Sequence, residues 1–363
     1  MRSQLSMALT VLALATLLGA CGLAGDLTGQ LSVKVVNAAT GDGLPLTTSF
    51  EACPVVGPCI TAPAVPQLGG IYTITLPIGS YQLTASRSGY LPATTRNVVV
   101  SSDTTRHLER IALVPTERDE PAPASGRIRD ALTGSGLPNA SVRLRQGMDT
   151  RTGSIVATAA TDVLGDYAFT SVPAGIYTAQ VSATGYATGY FTLRVVGSQA
   201  NATQDAAVPP DGVASVYRIV LTWDAAPADL DAHLTGPAEG GTRYHVYAAQ
   251  PTFVIGTTMY AQIELDATAG FGPETISLFE RLTGVHRFSV HDATNRLEDS
   301  STALANSGAR VDVYRGANLE ATFHVPVGTG TLWTVFELDG TVITPVGEVS
   351  YQPDGASVTS VRD

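Results

Sequence analysis

Apolar and polar residues alternate with a period of two in many short stretches of this chain, and helical periodicity is nearly absent. Such alternation is typical of half-buried β-strands, in which successive side chains point to opposite faces of a sheet. Turn segments rich in glycine and proline separate these stretches at short intervals. The pattern predicts an all-β fold of tandem small β-sandwiches followed by a larger β-sandwich or jelly-roll-like domain.

An internal repeat organises the first half of the chain. TGDGLP at residues 40–45 recurs as TGSGLP at 133–138, and LPIGSY at 76–81 recurs as VPAGIY at 172–177. The offset of 93 to 96 residues corresponds to one small β-sandwich per copy. We expect the Pro-x-Gly-x-Tyr segment to be a tight connection into a strand, which gives these residues a structural role.

Changes in composition suggest where the domains begin and end. The two expected linkers are short and contain proline, which is typical of stiff connectors. Stacked end to end, the two sandwiches would project the C-terminal domain away from the anchor. The expected order is a signal peptide at 1–20, a tether at 21–28, a diverged first sandwich at 29–115, a linker at 116–124, a second sandwich at 125–197, a linker at 198–212, a C-terminal β-domain at 213–350 and a tail at 351–363.

The first twenty residues have the features of an export signal. Arg2 supplies a positive charge, and residues 7–18 form an apolar run that is shorter than a typical transmembrane helix. The run ends in LGAC at 18–21, which resembles the cleavage site of bacterial lipoproteins, and Gly22 follows the cysteine. The resemblance implies a lipid on Cys21 that attaches the chain to the outer membrane, with the body in the periplasm or at the cell surface. An ordinary secretory signal with a chance cysteine is the alternative.

Charge and cysteine content restrict the partners and the compartment. A net charge of −11 argues against nucleic acid or anionic lipid headgroups, because both require positive patches. With Cys21 lipidated, Cys53 and Cys59 remain as an even pair in an oxidising compartment, and they predict a disulfide. A redox site would need Cys-x-x-Cys spacing, and a metal site would need further cysteine or histidine nearby.

The second copy of the repeat resembles the carboxypeptidase regulatory-like domain. The first copy lacks the TD-x-x-G-x-Y segment and is a diverged relative. The resemblance implies transthyretin-like β-sandwiches that act as spacers or binding modules, including carbohydrate binders, and it brings no catalytic residue. The segments that carry it are DALTG at 130–134, ASV at 140–142, TDVLGDY at 161–167 and VPAGIY at 172–177.

The C-terminal block resembles the YfaP-like family of bacterial domains of unknown function. The resemblance runs over most of residues 217–346 and implies a β-rich domain without an established activity. The segments that carry it are LTW at 221–223, DLDAH at 229–233, LD at 265–266, GFGPET at 270–275, HRFSV at 286–290, NSGA at 306–309 and GTLW at 330–333.

The densest chemistry of the chain lies in one short extended segment of this block. Asp229, Asp231 and His233 are two residues apart, so they share one face of a strand. Together with Asp266 and Glu274, the aspartates could converge as oxygen ligands of Ca²⁺. His233 fits Ca²⁺ poorly and suggests a transition metal or a hydrogen-bonding role. The alternative is that these side chains stabilise turns and strand ends.

The sequence lacks Gly-x-Ser-x-Gly, His-Glu-x-x-His and Walker motifs, so we expect no enzymatic activity. The leading hypothesis is a non-catalytic cell-envelope lipoprotein that presents β-sandwich binding modules to a protein or glycan partner. One alternative is a carbohydrate-binding module protein. Another is a calcium-dependent enzyme or adhesin that uses the aspartate cluster. The aromatic residues to inspect for glycan binding are Tyr186, Tyr190, Tyr244 and Tyr247.

Overall fold

The computed structural model describes residues 27–102 and 105–358. These residues form six β-sheets, and the predicted all-β class is confirmed. Cys21 and the predicted signal peptide lie outside the described residues, so the lipidation site stays a prediction. Among the described helices, none combines the length and apolar character needed to cross a membrane.

Two sheets form the first sandwich. One sheet has the order β4-β5-β1-β8, with β9 also pairing with β1, and the other has the order β3-β2-β6-β7. A short 3₁₀ helix, Leu68–Gly70, precedes β5. The strands are β1 Thr28–Asn37, β2 Ser49–Pro54, β3 Ile60–Thr61, β4 Ala64–Pro66, β5 Ile71–Pro77, β6 Gly79–Ser86, β7 Ala93–Val100, β8 Arg106–His107 and β9 Ile111–Leu113.

The second sandwich repeats the main pairing of the first, as the sequence repeat predicts, but has no counterparts of β4 and β8 among the described residues. Its sheets have the orders β13-β10-β16 and β12-β11-β14-β15. In both copies the first strand pairs antiparallel with the strand before the Pro-x-Gly-x-Tyr turn and parallel with the last strand. The strands are β10 Ala122–Asp130, β11 Ser141–Gln146, β12 Ala157–Ala160, β13 Asp166–Val172, β14 Gly175–Ser182, β15 Gly189–Val195 and β16 Ala206–Val208.

The segments expected to be linkers contribute to the fold. Residues 116–124 contain a 3₁₀ turn, Thr116–Arg118, and the start of β10. Residues 198–212 contain β16, whose pairing with β10 completes the second sandwich. Its residues Ala207 and Val208 are buried, and the burial of their apolar side chains favours the pairing of this segment with the sheet.

The C-terminal domain is a larger sandwich of a six-stranded and a five-stranded sheet. The orders are β20-β21-β22-β17-β24-β25 and β19-β18-β23-β26-β27. Buried aromatic residues, among them Phe288, Phe336 and Trp333, fill the space between the sheets. The elements are β17 Tyr217–Thr222, β18 Asp231–Pro237, β19 Arg243–Val246, β20 Thr252–Ile255, β21 Thr258–Leu265, β22 Glu274–Leu278, β23 Val285–His291, helix α1 Ala303–Asn306, β24 Arg310–Arg315, β25 Asn318–His324, β26 Leu332–Asp339 and β27 Val342–Ser350, with 3₁₀ turns at Glu239–Gly241 and Gly355–Ser357.

The three sandwiches contact one another and do not form the expected end-to-end stack. The second sandwich packs against the C-terminal domain, where Thr275 Oγ1 donates to the Ala131 carbonyl at 2.6 Å. The first sandwich also reaches the C-terminal domain, because Lys34 Nζ donates to Asn306 Oδ1 at 2.6 Å. The end-to-end expectation was wrong because apolar side chains such as Tyr314 are buried between domains rather than within them.

Candidate functional site

The acidic segment forms the start of β18. Asp231 and His233 share one face of this strand, while Ala232 and Leu234 belong to the buried apolar core. The antiparallel register with β23 places His291 opposite Asp231. The face predicted from the alternation is therefore present, and the neighbouring strand adds a second histidine to it.

The four predicted carboxylates come together near the start of β18 and β22. Oxygens of Asp229, Asp231 and Glu274 lie within 4.8 Å of one another. Asp266 is exposed and lies close enough to Glu274 to raise the pKa of that carboxyl. Glu274 is buried, and its Oε2 accepts a hydrogen bond from the Ala232 N–H at 2.7 Å. Glu274 thus stabilises the start of β18, and Asp229 and Asp231 lie beside it.

A second group of possible ligands shares Asp231 with the first. A carboxylate oxygen of Asp231 and one ring nitrogen from each of His233 and His291 lie within 4.8 Å of one another. His233 Nδ1 is 2.8 Å from His245 Nε2. The ring of Tyr247 stacks on His233 and His245, with centroid distances of 5.5 and 4.2 Å. The imidazoles are therefore fixed by neighbours on the same face of the sheet.

The residues after β27 cover this face. The Gln352 carbonyl accepts hydrogen bonds from His291 Nε2 at 2.8 Å and from Thr331 Oγ1 at 2.7 Å. A Cβ atom at Gly355 would lie 3.2 Å from His233 Cε1 and 3.4 Å from His291 Nδ1. Both histidines are consequently only 1% exposed, although they lie on the face opposite the apolar core.

Burial and like charge shift the pKa values of these groups. Burial, assisted by the charges of Asp229 and Asp266, raises the pKa of Asp231 to about 7. Burial also raises the pKa of Glu274 well above its usual range, and the nearby Asp266 carboxyl adds to the shift. Burial and the neighbouring imidazoles hold the pKa of His233 well below its usual range. A bound cation would favour the ionised carboxylates and neutral imidazoles that serve as ligands.

The sequence identified half of this histidine site. It singled out Asp231 and His233 but did not include His291 or His245 among the candidate ligands. His291 ends a strand that the alternation predicts, so the face of the strand on which it lies could have been inferred from the sequence. Its position opposite Asp231 depends on the pairing of β18 with β23, which alternation alone does not predict.

The four tyrosines considered for glycan binding do not form one exposed surface. Tyr244 is buried and stacks on Phe253 at 4.2 Å, and Tyr247 lies against the histidines. The Tyr186 hydroxyl donates to Asp130 Oδ2 at 2.8 Å. Among the four, Tyr190 alone lines a cleft where the three sandwiches meet.

This interdomain cleft has a volume of about 680 Å³ and is lined by residues of all three sandwiches. The Arg151 guanidinium lies over the Tyr190 ring, 5.0 Å from its centroid. Asp149 Oδ1 accepts from Arg151 Nε at 2.7 Å, and Glu109 Oε2 accepts from the Thr192 hydroxyl at 2.7 Å. The cleft therefore offers an aromatic face beside charged groups that already have partners.

The two cysteines within the described residues form a disulfide. Cys53 lies in β2, and its bond to Cys59 closes the connection between β2 and β3. Glu51 lies beside the two sulfur atoms. Because both sulfurs are in the disulfide, they are not thiolate ligands for a metal.

Several solved structures resemble the chain at low identity. The Bacillus anthracis TIE protein is 15% identical over 83% of this chain, with a TM-score of 0.22, and the match covers 49% of that protein. The streptococcal ancillary pilin is 12% identical over 72% of this chain and 89% of its own length, with a TM-score of 0.22. The shaft pilin SpaA of Lactobacillus rhamnosus GG is 14% identical over 51% of this chain and 99% of its own, with a TM-score of 0.20. The chain thus spans about half the length of the TIE protein.

No curated protein matches the chain. The YfaP-like character of the C-terminal domain stays a prediction. The family comparison matches residues 124–209, a stretch that contains nearly all of the second sandwich, including β16. In agreement with the resemblance seen in its turns, the chain carries a carboxypeptidase regulatory-like domain at residues 124–209.

Proposed function

We propose that this chain is a non-catalytic cell-envelope lipoprotein, anchored through Cys21, that binds a partner in the interdomain cleft. The observation that carries the proposal is the cleft itself, which is lined by all three sandwiches. Ligand sites occur preferentially at domain interfaces, in concave surfaces of several hundred cubic ångströms. A carboxypeptidase regulatory-like domain forms one wall, and such domains usually act as accessory modules.

The cleft has the chemistry of a binding surface rather than of a hydrolase. Hydrolysis of a glycosidic bond needs two carboxyl groups placed for acid and base roles. Here Asp149 is paired with Arg151, and Glu320 accepts from Arg315 Nε at 3.0 Å. Both carboxylates are therefore poorly suited to exchange protons with a substrate. Glu109, whose pKa burial raises, is the third carboxylate of the lining, so the described lining of the cleft lacks a second carboxyl group without a cationic partner to act with it.

The partner class can be tested with a photo-crosslinking amino acid. Placed at Tyr190 in the full-length chain in its native envelope, it should give an adduct because that side chain faces the cleft. The matched control is Tyr351, which is 44% exposed and does not line the cleft. Equal labelling from both positions, or none from Tyr190, would contradict binding in the cleft.

A glycan partner is the second candidate, favoured by the exposed part of the Tyr190 ring next to Arg151. A glycan array probed with the full-length chain should then show binding. Because truncation of a central aromatic anchor typically costs at least about 2 kcal/mol, Tyr190→Ala should weaken that binding about 30-fold. Tyr351→Ala should leave it unchanged. A blank array together with a protein adduct at Tyr190 would favour a protein partner instead.

The anchor is tested separately from the cleft. Cys21→Ser should move the chain from the membrane fraction to the soluble fraction, because the lipid is its proposed attachment. Labelling of the wild-type chain with a tagged fatty acid should be lost in the same variant. Retention of Cys21→Ser in the membrane fraction would contradict lipid anchoring and leave the cleft experiment unaffected.

A further inference from the structure

Two buried imidazoles in the C-terminal domain each have one nitrogen without a partner. His233 and His291 are both 1% exposed. Within residues 27–102 and 105–358, His233 Nε2 and His291 Nδ1 make no hydrogen bond. Buried polar atoms are nearly always satisfied in native proteins, and each exception calls for an explanation such as a bound ion.

The hydrogen bonds around these rings determine which nitrogen carries the proton. His291 Nε2 lies 2.8 Å from the Gln352 carbonyl, which can only accept. The proton of a neutral His291 is therefore on Nε2, and Nδ1 has a free lone pair. That lone pair is the unpartnered atom.

The same reasoning applies to His233. Its Nδ1 faces His245 Nε2 at 2.8 Å. Burial lowers the pKa of His245, and the backbone of Ala356, which lies beside that ring, opposes the shift by favouring the protonated form. The Ala356 N–H already donates to Asp354 Oδ1, which leaves the Ala356 carbonyl to receive a proton from His245. With its proton on Nδ1, His245 accepts at Nε2 from His233 Nδ1–H. His233 Nε2 then also has a free lone pair.

The two unpartnered nitrogens face the same small space, because a Cβ atom at Gly355 would lie 3.4 Å from His291 Nδ1 and 3.6 Å from His233 Nε2. An oxygen of Asp231 and one ring nitrogen from each of the two histidines lie within 4.8 Å of one another. Ligands about 2.1 Å from a tetrahedral zinc ion are about 3.4 Å apart, so modest movement would close the set around an ion. A second carboxylate oxygen, Asp229 Oδ1, lies beside Asp231. It is also buried and has no hydrogen-bond partner among the described residues.

We propose that Asp231, His233 and His291 bind a zinc-class divalent ion through one carboxylate oxygen, His233 Nε2 and His291 Nδ1. Imidazole suits Zn²⁺ and its late first-row neighbours, whereas Ca²⁺ takes six to eight oxygen ligands. The site therefore differs from the calcium site expected from Asp229, Asp231, Asp266 and Glu274, with which it shares Asp231.

The surroundings are those of a supported metal site. Histidine ligands usually donate their second N–H to a carbonyl or another acceptor, which fixes the ring and its tautomer. Gln352 serves His291 in this way, and His245 serves His233. Because Gly355 has no side chain, the tail closes over the rings without filling the space beside His233 and His291. The ion would thus join the two strands beneath the tail.

The metal-binding test uses the full-length chain stripped with EDTA and titrated calorimetrically with ZnCl₂ and, separately, with CaCl₂. We expect one Zn²⁺ per chain and no comparable Ca²⁺ binding. Asp231→Asn, His233→Gln and His291→Gln should each lower zinc affinity more than the 10- to 100-fold typical of lost supporting residues, because they remove a ligand. Co²⁺ should give visible absorption bands that change in His291→Gln.

The matched control is His286→Gln. His286 is also 1% exposed, lies on the same strand, β23, and hydrogen-bonds to the Tyr244 hydroxyl at 2.9 Å, away from the proposed ion. Its zinc affinity should equal that of the wild type. No zinc binding by the wild type, or equal binding by His291→Gln and His286→Gln, would overturn the proposal. Calcium binding unaffected by His291→Gln would assign the ion to the carboxylates instead and would also overturn it.

A second measurement needs no substitution and so cannot fail through misfolding. Nitrogen-15 NMR of the metal-free wild-type chain should place the His291 proton on Nε2 and the His233 proton on Nδ1. Zinc should shift the resonances of the two unprotonated nitrogens. The opposite tautomer at either residue would point a proton at the proposed ion and overturn the assignment.

Discussion

The two sandwich copies use one position of the repeat in opposite ways. Val56 lies two positions after β2, and Met148 lies two positions after the corresponding strand, β11. Val56 is 89% exposed, whereas Met148 is 1% exposed and packs in the core of the first sandwich. The four-stranded sheet that carries this loop has the same strand order in both copies, so a loop can change its role without changing the sheet that carries it.

The two loops are also fixed in different ways. The loop of the first copy is exposed at residues 55–59, and the Cys53–Cys59 disulfide closes it. The loop of the second copy is held by the neighbouring sandwich, since Met148 N donates to the Thr94 carbonyl at 2.7 Å. The second-copy loop is therefore held in place by contact with another domain, whereas the first-copy loop is held in place by a covalent bond.

The largest expected effect comes from removing the docked side chain. Met148→Ala should lower the free energy of unfolding of the first sandwich by about 2–5 kcal/mol, because it leaves a cavity in that core. Native-state hydrogen exchange of the β6 and β7 amides measures this change. Tryptophan fluorescence is an internal control, because Trp223 and Trp333 both lie in the C-terminal domain.

Two variants sharpen the same experiment. Met148→Leu keeps most of the volume and should cost less than about 1.5 kcal/mol. Val56→Ala, at the equivalent position of the first copy, should change stability by less than about 0.5 kcal/mol, because its side chain is exposed. Equal losses of stability for Met148→Ala and Val56→Ala would contradict the inference that the second-copy loop is docked and the first-copy loop is exposed.

Much of the fold could be predicted because alternation and the repeat are local signals. The same offset that relates the turns also relates Pro115 to Pro210, which bridge to Tyr90 and Tyr186 respectively. Applied consistently, it would have extended the second sandwich beyond residue 197 to include β16. The polar composition of residues 198–205 obscured this, since a linker and a sandwich connection look alike in sequence.

The candidate site shows where local reasoning ends. Alternation placed Asp231 and His233 on one face, and the register agrees. The addition of His291 depends on a pairing between strands far apart in sequence, and the cover over the site depends on the return of Gln352 and Gly355. Long-range pairing and chain return leave no periodic pattern, so a face that alternation predicts to be outward is buried in the folded chain.

An intermediate effect on stability is expected from removing the Cys53–Cys59 disulfide that closes the loop of the first copy. Replacing both cysteines, in Cys53→Ser with Cys59→Ser, should lower the stability of the first sandwich by about 2 kcal/mol, since a closed loop this short restricts the unfolded chain by about that amount. Hydrogen exchange of β2 and β6 amides provides the measurement. A reductant should reproduce the loss in the wild type and have no effect in the double variant. If the loss appeared equally in second-sandwich amides, the disulfide would not be the local counterpart of the docked loop.

The smallest effect tests what the two copies share. In each Pro-x-Gly-x-Tyr turn the tyrosine hydroxyl donates to the proline carbonyl four residues before it, at 2.9 Å from Tyr81 to Pro77 and 2.7 Å from Tyr177 to Pro173. Tyr81→Phe and Tyr177→Phe should therefore each cost about 1 kcal/mol, the net value of one such hydrogen bond, in their own sandwich. Hydrogen exchange resolves the two sandwiches within one sample. Losses that agree within about 0.5 kcal/mol would mean that the turn is a conserved structural unit of the repeat, whereas a loss in one copy alone would extend the difference between the copies from their loops to their frameworks.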